Sequence, residues 1–558
     1  MDFSNTNVIF DMVLIGSELL VCLLLWLLAG YAERVLSPKF RLLYLAPAGL
    51  CLLFVLMSGT EPCMAGAYIG SAGLAFGFFR DEKRLRRIAS AVCAVIIAGT
   101  LPFCIVSDAY RSRRDYVGDF EKGFASMKAH YCLAEHKQID WDALYAKYRP
   151  QFEKVTKTRD EYENALLWLY FTREFYDGHV NYSPDVSDEE KFSDELKCLY
   201  SGSDFGLVIK KLSDGSFAAL GVDDSLQKLG IHNGTRVVSW NGETPDKADE
   251  RSALYPARDV FDLDNEDFYK GIYAAGTGGE SAVLTYLADD GGERTVTLPK
   301  LSDKYGDRMK EVLKKLHEGY EAAHMSVTKV NDTTACLRIK FMMFDSKSAN
   351  KDDHTGLKSK LREQISALMD EGVKDIVIDC RSNGGGSGDM VKNIVSLFAP
   401  EGEHFYCINP LWDEKDRRYA RDADGNYVAA NEVTFKGENI LGDGRVILLV
   451  NSECASAGDH ITKVMRGMEN VTVMGFTKPA GVGQGVYELG LENGSLFYSS
   501  ALMLDKDGSI FIDAGTDKHS TDDIDIKVPF DDAAIHAIFD EGEDYLMGLA
   551  LERLKQNG

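Results

Sequence analysis

The sequence predicts a multi-domain chain: an N-terminal α-helical membrane segment, a helical lead-in, a β-rich domain and an α/β core. Three observations predict it. Apolar residues crowd the first 107 of 558 positions, hairpin signals cluster between 204 and 300, and strand-like and helix-like runs alternate after 335. A chain of this length exceeds what one hydrophobic core organises, so several domains are expected. The expected boundaries are 1–107 for a four-span membrane segment, 108–200 for the lead-in, 201–302 for the β-rich domain and 303–558 for the core.

Hydrophobic residues make up 45% of the chain and charged residues 27%, a globular balance. A net charge of -25 argues against a nucleic-acid partner, because such a surface repels phosphate. Five of the eleven cysteines lie in the apolar region (Cys22, Cys51, Cys63, Cys93, Cys104). The rest are irregularly spaced without a CxxC pair, so neither a zinc site nor a disulfide framework is signalled. No metal, no organic cofactor and no particular oligomeric state is implied.

Four apolar stretches are read at 12–32, 42–57, 62–79 and 88–106. A helix crossing the hydrocarbon core needs about 20 apolar residues, which the first and fourth supply and the middle two approach. No basic n-region precedes the first, so a signal peptide is not expected. Arg34, Lys39 and Arg41 lie between the first two stretches, and Arg80, Lys83, Arg84, Arg86 and Arg87 between the last two. The positive-inside rule puts both basic loops in the cytoplasm, so the expected location is the cell membrane, multi-pass, with the later domains extracytoplasmic. Arg111, Arg113 and Arg114 count against that orientation. Glu18 falls inside the first stretch, where a carboxylate either has a function or faces a neighbouring helix or a headgroup.

From 108 to 200 the pattern is helical, as in Trp141-Asp-Ala-Leu-Tyr-Ala-Lys-Tyr, with apolar residues recurring at three and four. It runs into Asp177-Gly-His179, a turn that can expose an imidazole. Between 204 and 300, Phe205-Gly-Leu-Val-Ile reads as a strand and Asn241-Gly as a hairpin signal. The order of these elements resembles a PDZ domain, a module that adds an extended peptide to a sheet edge. A β-rich insertion without a ligand is the plain alternative.

The core is read as strands at 335–341, 375–380, 446–450 and 471–474, with helices at 357–369, 389–398 and from 457. Such alternation predicts parallel strands, with active sites at their C-terminal ends. Two motifs fall there. Asp375-Ile-Val-Ile-Asp-Cys-Arg381-Ser-Asn383-Gly-Gly-Gly386 ends a buried strand in glycines, whose N–H groups can converge on an oxyanion. Val446-Ile-Leu-Leu-Val-Asn451-Ser-Glu-Cys-Ala-Ser456-Ala-Gly passes into a helix, so Ser456 is either a nucleophile near the positive helix end or a simple cap.

Together the motifs resemble peptidase family S41, the tail-specific or C-terminal processing proteases. Its Asp-x-Arg-x-Asn-x-Gly-Gly strand end is present as Asp379, Arg381, Asn383, Gly385 and Gly386, and its Val-Asn-x-x-x-Ala-Ser-Ala element runs from Val450 to Ala457. The resemblance spans roughly 108–530 and implies a ClpP/crotonase-like catalytic core and a serine endopeptidase with Ser456, not Ser452, as nucleophile. Where one branch of the family carries a general-base lysine in Thr-x-Gly-Lys-Gly, this chain has Gly481 or a close neighbour. The branch resembling the tricorn core protease uses a histidine, and His179 matches it, with a pKa suited to base work. That branch implies a carboxylate behind the histidine, for which Asp513 is the match. Lys478 is the rival base, and His460, four residues past Ser456, is read as packing. The expected oxyanion donors are Gly385, Gly386 and Ala457. Asp379 and Arg381 are read as shaping the turn.

The expected function is therefore a membrane-anchored protease acting on protein or peptide substrates outside the cytoplasm. A catalytically inactive peptide-binding scaffold is the alternative.

Overall fold

Three capped helices open the described part of the chain. α1 (Tyr116–His130), α2 (Trp141–Thr158) and α3 (Glu161–Arg173) follow Asp115, Asp140 and Asp160, whose carboxylates accept first-turn N–H groups. Each such cap stabilises its helix by about 1 kcal/mol. Their inner faces close an aromatic core of Phe120, Phe152, Trp168 and Phe171, in which the Phe120 and Phe152 rings stack at 4.6 Å. The same core takes in Leu496 and Tyr498. Their strand, Gly494–Ala501, pairs antiparallel with Asn181–Pro184, just after the His179 turn.

The computed structural model describes residues 115–186, 202–251, 262–317, 325–342, 354–415 and 417–556. Asp115–Gly558 is one compact unit. Its centre is a six-stranded sheet of β1 (Met325–Lys329), β2 (Thr334–Ile339), β3 (Asp375–Asp379), β4 (Val446–Leu449), β5 (Val471–Gly475) and β6 (Ile526–Lys527), in the order β6-β5-β4-β3-β2-β1. β2 through β6 run parallel and β1 antiparallel, so the sheet is mixed.

Both faces are covered, which is why β3 and β4 read as unbroken apolar runs. Ile376, Ile378, Leu448 and Val473 face one core with helices α4 (Gly388–Phe398) and α5 (Ala457–Met465). Val377, Ile447, Leu449 and Met474 face another, built from residues 205–316 and the helix Tyr545–Gln556. Strand alternation alone assigns each residue to its core. The described residues between 202 and 302 include a hairpin (Val208–Lys211 with Phe217–Leu220) and a three-stranded antiparallel sheet (Val237–Trp240, Ser281–Leu287, Glu293–Pro299).

The fold expectation needs one correction. Among the described residues no helix is long and apolar enough to cross a membrane. The longest, α2, has 18 residues but carries Asp142, Lys147, Arg149, Glu153, Lys154 and Lys157, charges that hydrocarbon would not accept. The four apolar stretches lie in 1–114, outside the described residues. The N-terminal α-helical membrane segment is thus not supported, and the fold that stands is α/β with a mixed sheet.

Candidate active site

β3 and β4 are parallel neighbours with Leu449 beside Asp379, so the segments leaving them emerge on the same sheet edge. The segment after β3 is the glycine turn. Asn383, fully buried, organises it: its carbonyl accepts from Ala455 N–H at 2.9 Å, its Nδ2 donates to Ile339 C=O, and its Oδ1 accepts from Gly385 N–H at 2.9 Å. Upstream, Arg381 donates to both oxygens of Asp379 and, at 2.9 and 2.7 Å, to both oxygens of Asp544. Arg338 adds a second guanidinium on Asp379. Burial works against the Asp379 charge, yet the two arginines hold its pKa below the ordinary value.

Ser456 caps α5 with φ 58 and ψ -116, a left-handed backbone at a residue with a Cβ. Such a conformation costs about 1–3 kcal/mol and persists only where its surroundings enforce it. Two bonds do so here: Ser456 N–H donates to Val482 C=O at 3.0 Å, and Ser456 C=O accepts from His460 N–H at 3.0 Å. Gly385 lies directly against this turn. It has φ +94, and a Cβ there would stand 2.7 Å from both Ala455 O and Ser456 Cβ. Only glycine lets the two motifs touch.

The three expected oxyanion donors are not equivalent. Gly385 N–H is occupied by Asn383 Oδ1, whereas the N–H groups of Gly386 and Ala457 make no hydrogen bond among the described residues. Ala457 is the first residue of α5, where the helix ladder offers its N–H no acceptor.

His179 is buried in the turn after α3, with its Nδ1 enclosed and unpartnered among the described residues. Its backbone N–H donates to Asp177 Oδ1, and Asp177 Oδ2 accepts from Tyr131 and Ser499 hydroxyls at 3.0 and 2.8 Å. Burial lowers the His179 pKa and the Asp177 charge works against that. No hydrogen bond joins His179 to Ser456 Oγ among the described residues. His179 is felt electrostatically at His460, one turn past Ser456 on α5.

His460 itself has both nitrogens committed. Nε2 donates to Gly483 C=O at 2.8 Å, so Nδ1 accepts from Tyr406 O–H at 2.6 Å, and burial depresses its pKa to about 4. It packs, as its spacing from Ser456 suggests.

Asp513 does not pair with His179. Its carboxylate is fully buried, 2.5 Å from Lys137 Nζ, and burial pushes its pKa up to about 8 despite the ammonium, with Asp177 adding to the rise. Asp513 forms an isolated antiparallel bridge with Val482, the residue whose carbonyl holds Ser456 N–H. Lys478 Nζ is 2.6 Å from Asp264; burial opposes its charge, but Asp264 and its acidic neighbours raise its pKa above the ordinary value. A base needs the opposite shift. Gly481 packs on Ser520, with φ +78.

No motif or spacing in the sequence marks Lys137, Tyr131 or Asp459. Asp459 accepts the N–H groups of Gly481 and Val482 at 2.7 and 3.3 Å, so it carries the loop that carries Ser456. Burial, followed by the charge of Asp522, raises its pKa. Asp262, Asp264 and His519 lie close enough to share a cation, but Asp262 already accepts three N–H groups and Asp264 holds Lys478.

Residues 334–521 match the model of peptidase family S41, and residues 112–171 match the tricorn protease C1 domain. The class of protein so defined is a serine-type peptidase. The likeness to S41 is carried by residues 334–521. Neither match covers 201–302, so the PDZ-like expectation finds no match there. No match was found among the curated proteins. Among solved structures, the chain is similar to mature CPAF complexed with lactacystin (12% identity, 80% of this chain and 99% of that one, TM-score 0.47). It is also similar to the photosystem II D1 C-terminal processing protease (14%, 74% and 93%, 0.32) and to the tricorn protease (14%, 80% and 37%, 0.35).

Proposed function

We propose that the chain hydrolyses peptide bonds through an acyl-enzyme on Ser456, with His179 as general base and the N–H groups of Gly386 and Ala457 as oxyanion donors. Ser456 Oγ adds to the scissile carbonyl as its proton passes to the His179 imidazole. The imidazolium then protonates the leaving amine as the C–N bond breaks, and water, deprotonated by the same imidazole, hydrolyses the ester. The observation that carries this reading is the strained Ser456 turn, pressed against Gly385 and flanked by two unengaged N–H groups. Oxyanion stabilisation needs donors that are fixed and unspent before reaction, and these are. Gly385 then supports the hole as a spacer, not as a donor.

The substrates in this reading are protein or peptide chains. Action on proteins outside the cytoplasm is part of the proposal.

The test is casein hydrolysis by the full chain beside Ser456→Ala and His179→Ala, with fluorophosphonate labelling of each. Wild-type cleavage and labelling that both vanish in Ser456→Ala are expected. A wild type that cleaves no better than Ser456→Ala across several substrates would sink the proposal.

A further inference from the structure

We propose that Lys137 is a positioning residue for the Ser456–His179 pair, holding the turn that carries the base to the strand that carries the nucleophile. This inference rests on the serine-peptidase reading above.

Lys137 lies between α1 and α2, remote in sequence from both motifs, and its side chain is only 4% exposed. A buried ammonium needs its donors satisfied, and this one meets three oxygens from two distant segments. Its Nζ donates to Tyr176 C=O at 3.0 Å, donates to Ala514 C=O at 2.6 Å and stands 2.5 Å from Asp513 Oδ1. Tyr176 is three residues before His179 and has φ 49, a left-handed conformation costly for a tyrosine. The Lys137 bond is one of the contacts that hold that carbonyl in place. On the other side, Asp513 bridges Val482, and Val482 C=O accepts Ser456 N–H.

The chain of contacts therefore runs from the His179 turn through Tyr176, Lys137, Asp513 and Val482 to Ser456, by two hydrogen bonds, one ion pair and the backbone bridge between Asp513 and Val482. Lys137 is where the two halves meet. Geometry of this kind sets the rate and not the affinity, because a small displacement between nucleophile and base misaligns proton transfer while leaving the substrate's own contacts intact.

Removing Lys137 alone leaves the buried Asp513 side chain without its partner, which can destabilise a protein for reasons unrelated to the site. The deciding variant is therefore Lys137→Met combined with Asp513→Asn, in the full chain, which removes both partners together. Casein-derived peptide hydrolysis gives kcat and KM, thermal unfolding gives Tm, and Ser456→Ala sets the background. The expected result is a Tm close to wild type, an unchanged KM and a kcat lower by about 10²-fold. A kcat within about twofold of wild type in a folded double variant overturns the proposal, since a factor of two is far below what misalignment costs.

Should the double variant not fold, Lys137→Arg decides, because it keeps the charge but moves the donors. A lower kcat at unchanged KM and Tm supports positioning, and a wild-type kcat overturns it. Wild-type labelling by fluorophosphonate separates the two levels. If wild type is neither labelled nor active, the serine-peptidase reading has failed; if it is both and the variants match it, only the role of Lys137 has.

Discussion

The two ends of the site are built from different materials. At the Ser456 end the parts are backbone: a strained turn, glycine against Cβ, and N–H groups released by a helix start and a glycine bend. At the His179 end they are side chains: Asp177 gathering Tyr131, Ser499 and a backbone N–H, and Lys137 gathering two carbonyls and Asp513. A backbone site is written in runs of small residues at strand ends. A side-chain site is scattered over the chain and becomes whole only on folding.

The comparison can be broken or sharpened by substitution, from the largest expected effect downwards. Ser456→Ala removes the proposed nucleophile and should lower kcat by up to about 10⁶-fold, as read by initial rates on casein peptides. His179→Ala should cost about 10²–10⁴-fold, the range of a general base. The pH profile gives that assignment a sign. Burial holds the His179 pKa below its ordinary 6.5, and the base works only when neutral. kcat/KM should therefore keep its plateau below pH 6.5 and fall only as the pH drops through the depressed value. A plateau lost above 6.5 contradicts the assignment.

Gly385→Ala tests the backbone end by itself. The new Cβ would press on Ala455 O and Ser456 Cβ at 2.7 Å from a left-handed φ, so kcat should fall by about 10–10²-fold with about 1–3 kcal/mol of stability lost, read by kinetics and denaturant titration. The smallest effect is expected at Lys478→Ala. Its ammonium serves Asp264, a partly exposed partner, so activity should stay within about twofold and stability within about 1 kcal/mol. A large loss of kcat there would restore the lysine as base.

The same contrast explains how much was legible in the sequence. β2 through β5 and helices α4 and α5 stand close to where periodicity put them, because strands buried on both faces and helices covering them leave strong apolar patterns. The Ser456 and Gly385 motifs meet as strand adjacency predicts. The use of Gly385 N–H was not legible, since it depends on which way the Asn383 amide turns inside a closed turn. Nor was the partner of Asp513, because Lys137 lies 377 residues before Ala514, one of its acceptors, and nothing local marks it. The pairing of Asn181–Pro184 with Gly494–Ala501 was equally hidden, being a long-range contact between two short strands.

Arg381 draws on Asp544, a carboxylate 163 residues further along the chain. During synthesis the glycine turn and the Ser456 helix emerge first, with that guanidinium still lacking its second acid. Only when the region around Asp544 has left the ribosome and folded back can Arg381 be buried with its charge balanced. The order in which the chain is made thus delays completion of the glycine turn until the segment carrying Asp544 has been made and has folded back.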